Sequence, residues 1–282
     1  MKLMIKLILS FFAILPLRVN HWIGGLIGRY LYISHSHSRS VVSKNIQTCF
    51  KDLDSKSQQN LIKKSLVETG KSLSESGFIW LNDFQHNAKY IKKINGLELL
   101  EETTPTILLV PHFGCWEITG RVLSLTKPVV FLYKPLRDSA QEDYLIAMRE
   151  QGDLSMATAD KKGVIKLQRA LNQSKLIGIL PDQDPGEEGS VLAPFFGSQA
   201  RSMTLLVKLA RKNNARVLLT WATRLNKAQG YELNLTPVDV LSESGKLEDD
   251  VALMNKAIET LVMTQPEQYL WNYKRFKSVI HY

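Results

Sequence analysis

Cysteine is scarce in this chain, long uninterrupted apolar runs are missing, and each shortage excludes a class of protein. Cys49 and Cys115 are the two cysteines in 282 residues, far apart and outside any Cys-x-x-Cys or Cys/His spacing. Neither a disulfide framework nor a metal site is therefore expected. No stretch is rich enough in Pro, Gly and Ser to act as a linker, and no internal repeat or low-complexity tract appears, so a single domain is expected. The strand-to-helix elbow GxSxG is absent, which removes support for a serine acyl-enzyme. GxGxxG and HExxH are absent as well, and Gly70-Lys71-Ser72 lacks the first glycine of a phosphate-binding loop because Ser65 occupies that position. No cofactor is implied. Hydrophobic residues at 44% against 22% charged are ample for a packed core and exclude a largely disordered chain.

Acidic residues are also in short supply at one end. The first sixty residues hold eight lysines and arginines against Asp52 and Asp54, a balance of +6 out of a formal net charge of +9 for the whole chain. The same end carries the apolar segments Leu7 to Leu17 and Trp22 to Ile33. A bilayer span needs roughly 20 apolar residues, and Pro16, Arg18, Asn20 and His21 interrupt this stretch. A helix lying in the membrane interface, or a short tilted anchor, is the expectation for residues 1–33. Lys2 and Lys6 imitate the start of a secretory signal, but no small-x-small site follows within reach, so the segment is expected to remain attached. Basic residues beside Phe11, Phe12, Trp22, Tyr30 and Tyr32 suit anionic lipid of a cytoplasmic leaflet. A pI near 9.4 also raises nucleic acid, but the charge clusters beside apolar sequence instead of forming a polar stripe, and no nucleic-acid motif is present.

Beyond that segment, helical periodicity runs through Ser40–Cys49 and Ser57–Leu81, where Leu61, Ile62, Leu66, Leu73, Phe78 and Trp80 recur at threes and fours; these helices read as packing elements. Strands are predicted at Tyr90–Ile94, Ile107–Val110, Val129–Leu132, Leu176–Leu180, Arg216–Thr223 and Tyr231–Val240. Helices are predicted at 141–150, 164–171, 204–212 and 250–263. The alternation predicts an α/β domain whose mixed, largely parallel sheet is covered by helices on both faces.

The chemistry concentrates at Thr106 to Glu117, TILLVPHFGCWE. The apolar run ends at Pro111, so His112 stands at the carboxyl end of a buried strand, where open α/β sheets place their sites. With a helix starting near Gly114, Glu117 falls in its first turn and is expected to fold back onto the imidazole. A carboxylate on one ring nitrogen fixes the tautomer, leaving the other nitrogen to take a proton from a hydroxyl. The same spacing also fits a strand-end histidine bonded to backbone beside a solvated glutamate.

HFGCWE is similar to the HxxxxD/E signature of the glycerolipid acyltransferase superfamily, in the form typical of bacterial lipid A late acyltransferases. RSVVSKNIQTCF (39–50), LPDQDPGEEG (180–189), PFFG (194–197) and PEQYLWNYKRFK (266–277) resemble further blocks of that family, in its order. The resemblance spans nearly the whole chain and makes 34–282 an acyltransferase domain. It implies His112 and Glu117 as catalytic residues. Asp182, and with it Gln183, is implied in substrate binding or support of the histidine, and Arg149 as a phosphate clamp. Lys134 stands where the family usually has arginine, which keeps the charge and loses the two-pronged fork. Arg201 adds positive potential, while Arg275 and Lys277 match the family but fit packing or lipid contact equally well.

The function this resemblance implies is transfer of a fatty acyl chain from an acyl carrier protein thioester to a hydroxyl of a lipid A precursor, at the cytoplasmic face of the inner membrane. An activated thioester needs only a base and an oxyanion stabiliser, consistent with the missing nucleophile motif. Alternatives at this level are another glycolipid or lysophospholipid acceptor, acyl coenzyme A as donor, or a non-catalytic membrane lipid-binding protein of the same fold.

Overall fold

A computed structural model describes residues 2–135 and 139–282, with the side chains of residues 2, 3 and 139–141 outside that description. Four helices come first: α1 (Lys2–Ile14), α2 (Leu17–Ile33), α3 (His37–Cys49) and the long α4 (Ser55–Leu81), followed by the short α5 (Phe84–Ala88). Then strands and helices alternate: β1 (Ile91–Asn95), β2 (Thr106–Leu109), α6 (Trp116–Leu123), β3 (Val129–Tyr133), α7 (Ser139–Arg149), β4 (Leu154–Thr158), α8 (Lys161–Asn172) and β5 (Leu176–Ile179). The hairpin β6 (Ser190–Phe195) and β7 (Ser198–Met203), α9 (Leu205–Asn213), β8 (Arg216–Arg224), β9 (Tyr231–Pro237) and α10 (Leu247–Thr264) complete the chain.

Seven strands form one sheet in the order β1-β9-β8-β2-β5-β3-β4. Pairing is parallel except between β8 and β9, so β9 and β1 run against the other five. This is the mixed, mostly parallel α/β sheet the sequence predicts. Strand β2 lies at its centre, fully buried, and splits its side chains with the period of two that a strand imposes. Ile107 and Leu109 enter one apolar layer, with α3, α4, α8, α9 and α10, while Leu108 and Val110 enter the other, beneath α6 and the end of α4.

Three elements escape the sequence reading. Edge strand β4, LSMAT, carries no strong alternation, and its place is set by parallel pairing with β3. Hairpin β6-β7 contains Pro194, which argues against a strand, but the hairpin is a separate two-stranded unit packed on α10, where proline is tolerated. Its two-residue turn places Phe196 at φ 50° and Gly197 at φ 69°, the left-handed pair that matches strand twist. Helix α5 is too short for a periodic signal.

The N-terminal apolar stretch breaks at Pro16 into two helices, and no helix of the described residues is long and apolar enough to cross a membrane. Both helices pack on α4. Helix α2 does so at backbone distance: a Cβ on Gly28 would meet the Leu66 carbonyl oxygen at 2.2 Å, and one on Gly70 would meet that of Gly24 at 2.0 Å. Small residues at a helix crossing allow this approach. The opposite faces stay uncovered and apolar: Leu7, Phe11 and Ile14 on α1, and Trp22, Leu26, Tyr30 and Ile33 on α2, are all exposed.

A buried ionic network fastens α2 and α4 to the sheet. Glu75 of α4 accepts from Arg224 Nη2 of β8 at 2.7 Å, from Tyr231 of β9 at 2.9 Å, and pairs with His21 Nε2 of α2 at 2.6 Å. Burial works against charge on Glu75, but Arg224 and His21 outweigh it and hold the carboxyl well below the usual carboxylate range. Replacing Arg224 with Met removes the main countercharge of buried Glu75 and leaves it His21 and Tyr231 alone. Chemical denaturation should register a loss of about 3–5 kcal/mol, and a second change, Glu75→Gln, should return part of it.

Candidate active site

The parallel register of β2 and β5 builds the centre of the site. Leu109 pairs with Ile179, and the Val110 N–H continues the ladder to the Ile179 carbonyl at 3.0 Å. His112 and Asp182 each stand three residues beyond that pair, so two neighbouring parallel strands deliver them level with one another. The Asp182 carboxylate accepts twice from one residue: Oδ2 from the His112 backbone N–H at 2.9 Å and Oδ1 from the ring at Nδ1, 2.7 Å away. With Nδ1–H donated to the carboxylate, Nε2 keeps its lone pair. The Gln183 side-chain nitrogen lies 3.1 Å from that atom. Asp182 is 2% exposed. Burial alone would raise its pKa, yet the His112 ring and backbone N–H hold the carboxyl below its ordinary range.

The loop carrying His112 is pinned on two sides. The His112 carbonyl accepts from the Leu270 N–H at 2.9 Å, and the Gly114 N–H donates to the Gln268 carbonyl at 2.9 Å. The Cys115 N–H donates to the Ala222 carbonyl of β8 at 2.9 Å. Gly114 has φ +55°, and a Cβ there would meet the Ala222 oxygen at 2.0 Å, so only glycine lets the loop approach β8. Gln268 and Leu270 belong to the PEQYLW block, whose part in the site is thus to brace the histidine loop.

Glu117 corrects an expectation. It does lie in the first turn of α6, but its carboxylate bonds to other partners than His112. Arg149, at the end of α7, donates through Nε to Oε2 at 3.2 Å and through Nη2 to Oε1, and Trp80 of α4 donates from Nε1 to Oε2 at 3.1 Å. The carboxylate beside the ring is Asp182. The physical reason is that α6 begins only at Trp116, whose ring lies 5.2 Å from the imidazole, while the adjacent strand presents a carboxylate already in register. The arginine fork is likewise engaged: Nε and Nη2 are taken by Glu117, so the two-pronged grip foreseen for a phosphate is closed in this arrangement, and Nη1 has no protein partner among the described residues.

Lys134 is exposed just beyond β3, on the same end of the sheet. Arg201 lies on β7, where its side chain donates to Ser278 and Ser190 at 3.2 and 3.3 Å, and the structure does not bring it to His112. Arg275 is buried and donates to the Arg201 carbonyl and to Ser202 Oγ, both at 2.6 Å, which makes it a packing residue. Burial pushes the thiols of Cys49 and Cys115 up, so neither supplies a ready nucleophile. Among the described residues no group of three His, Cys, Asp or Glu side chains could hold a metal ion.

Sequence reasoning missed Arg121. This fully buried cation donates to Asn87 at 2.7 Å, to the Asn82 carbonyl at 2.6 Å and to the Met148 carbonyl at 2.9 Å, fixing the residue before Arg149. Burial brings its pKa down to about 10. An arginine in the middle of an eight-residue helix gives no local signal of such a role.

A histidine oriented by a carboxylate at the carboxyl ends of parallel strands, with an arginine–glutamate pair on the adjoining helices, defines an α/β protein equipped for proton transfer. Residues 3–278 match the family model described as bacterial lipid A biosynthesis acyltransferase, and the chain belongs to that family. It is 29% identical over 271 residues to a lipid A biosynthesis lauroyltransferase of Escherichia coli K12, covering 94% of this chain and 87% of that one. A lipid A biosynthesis palmitoleoyltransferase of the same strain is 28% identical over 273 residues, with the same coverage of both chains. A lipid A biosynthesis acyltransferase of Haemophilus influenzae is 26% identical over 250 residues, 85% of this chain and 77% of that one.

The depressed Asp182 pKa sets a pH signature. Because the folded value lies below the ordinary 3.8, the stabilisation from Asp182 is complete above about pH 4 and is lost as pH falls through the folded value. The difference in unfolding free energy between the wild type and Asp182→Asn should hold constant above that pH and shrink in more acid solution. A difference that stays level down to pH 2 would contradict the pairing.

Proposed function

We propose that this protein transfers a fatty acyl chain from an acyl carrier protein thioester to a hydroxyl of a lipid A precursor, with His112 as general base. The observation that carries the reading is the doubly bonded His112–Asp182 pair, which joins the HFGCWE and LPDQDPGEEG blocks of a lipid A acyltransferase family member. The acceptor hydroxyl takes the place of the Gln183 amide at Nε2. As its proton moves to Nε2, its oxygen bonds to the thioester carbonyl carbon, and the carbonyl pair moves onto oxygen. Helix α6 has Cys115 as its N-cap residue and no side-chain cap, so its first-turn N–H groups suit the developing oxyanion. Collapse breaks the carbon–sulfur bond, and the thiolate takes the proton back from Nε2. Asp182 holds the tautomer throughout and stabilises the imidazolium between the two steps.

Glu117 keeps Arg149 in place, and Lys134 adds positive charge at the same end of the sheet for a phosphorylated acceptor. The exposed apolar faces of α1 and α2, with Arg18 and Arg29 between the aromatics, fit a helix pair resting in the cytoplasmic-side interface of the inner membrane. Helix α1, at thirteen residues, is about 20 Å long and falls short of the roughly 30 Å hydrocarbon core. The +9 net charge favours encounter with an acidic carrier protein.

His112→Ala should reduce turnover of a lipid A precursor by about 100-fold or more, measured with purified acyl carrier protein thioester; near-normal turnover would remove the mechanism. With wild-type enzyme, raising ionic strength from low to physiological salt should lower kcat/KM for that thioester, since screening weakens steering. A kcat/KM indifferent to salt would point away from an acidic protein donor and toward a small acyl donor.

A further inference from the structure

Trp80 closes helix α4, and its periodicity marks it for packing alone. Its surroundings say more. The indole Nε1 donates to Glu117 Oε2 at 3.1 Å, and the Arg149 guanidinium carbon lies 5.2 Å from the indole centroid. One side chain thus touches both members of the ion pair. Trp80, Glu117 and Arg149 come from α4, α6 and α7, so the trio ties three elements together at one point. Trp80 is half-buried, and the Arg149 and Glu117 side chains are 21% and 20% exposed, so the trio is accessible to a ligand.

The bonding of the trio is nearly saturated. Glu117 Oε2 receives both the indole N–H and Arg149 Nε, and Oε1 receives Arg149 Nη2. Arg149 is left with Nη1 as its unpartnered nitrogen among the described residues. A carboxylate on a rotatable stem would otherwise sample several rotamers and carry the arginine with it. The indole removes that freedom in two ways, by a charge-assisted hydrogen bond to the acid and by a cation–π contact to the base.

We propose that Trp80 is a positioning residue for the acyl acceptor: it locks the Glu117–Arg149 pair so that Arg149 Nη1 faces one anionic oxygen of that substrate, the phosphate of a phosphorylated glycolipid. This rests on the reading of the site as an acyl-acceptor site. Trp80 does not touch the reacting atoms and acts through Arg149.

The test uses the purified full-length protein, acyl carrier protein thioester and a phosphorylated lipid A precursor. Trp80→Phe keeps the ring and removes the N–H. The expected result is a rise in KM for the lipid acceptor of about tenfold or more, the scale of a hydrogen bond to a charged group, with kcat and the KM for the thioester changed by less than about threefold. KM does not depend on how much of a preparation is folded, so simple destabilisation cannot imitate this split. Trp80→His returns a ring N–H donor and should recover part of the acceptor KM. Combining Trp80→Phe with Arg149→Lys should cost much less than the product of the single effects, since both act on one contact. An unchanged acceptor KM in Trp80→Phe, or full multiplicativity with Arg149→Lys, overturns the proposal. If His112→Ala is inactive while Trp80→Phe behaves as wild type, this inference alone fails; if His112→Ala retains normal turnover, the reading of the site fails with it.

Discussion

Parallel pairing between β2 and β5 is the constraint on which the site rests. A parallel ladder shifts both strands in step, so a one-residue slip would move Asp182 away from His112 and turn every buried side chain of β5 to the wrong apolar layer. Because both strands are buried on both faces, that slip is opposed by the whole core. The sheet therefore sets the relation of imidazole to carboxylate more firmly than any loop could. Asp182 adds a second restraint by accepting from the backbone N–H of the same histidine whose ring it orients, which ties ring, loop and carboxylate into one unit.

Helix α4 extends this rigidity to the N-terminal helices. It meets α2 at backbone contact through Gly70, contributes Glu75 to the buried network with Arg224 and His21, and ends at Trp80 against the Glu117–Arg149 pair. Buried charges are expensive to desolvate, and these are tolerated because nearly every lone pair and proton finds a partner. The network gives little net stability relative to an apolar core, but it penalises any rearrangement that separates α2 from β8. The exposed apolar face of α2 and the site at the carboxyl ends of the strands accordingly hold a constant relation. For the function proposed above, in which the α1–α2 face rests on a bilayer, such a relation would let the depth of those helices set the height of His112.

How much of this was legible in the sequence depended on how local each signal was. The run Ile107 to Val110 reads as a buried strand because four consecutive apolar residues bounded by Pro111 fit one, so the position of His112 followed from short-range rules. The same held for the long helix over Leu61 to Trp80, whereas Pro16 read as one of several interruptions of a single anchor and in fact divides the stretch into two helices. The partner of His112 did not follow, since Asp182 lies seventy residues away and only the register of two parallel strands brings it near. The local motif offered Glu117, and a reading confined to that motif pairs the two residues nearest in sequence. Trp80 and Arg121 were hidden for a related reason: an indole at a helix end and an arginine within an amphipathic helix look like packing and surface residues until three separate elements converge on them. Hairpin β6-β7 was masked by Pro194, whose usual meaning in a strand is exclusion.

The two carboxylates of the site divide their work by environment. Asp182 is almost wholly buried and holds its pair of bonds to one residue, which suits the proposed role of keeping the ring in one tautomer. Glu117 is one-fifth exposed, sits near the positive end of α6, and bonds to an arginine that is itself one-fifth exposed. In the proposed acceptor site, a phosphate arriving at Arg149 would meet a cation already half-neutralised, so binding would not desolvate a bare guanidinium and release would not have to open a two-pronged grip. Such a pair can bind an anion through one nitrogen while the other two stay on glutamate. In that proposed role the arrangement favours turnover over tight retention, and the five residues from His112 to Glu117 carry the chain from the strand end into the first turn of α6, where Arg149 meets the carboxylate.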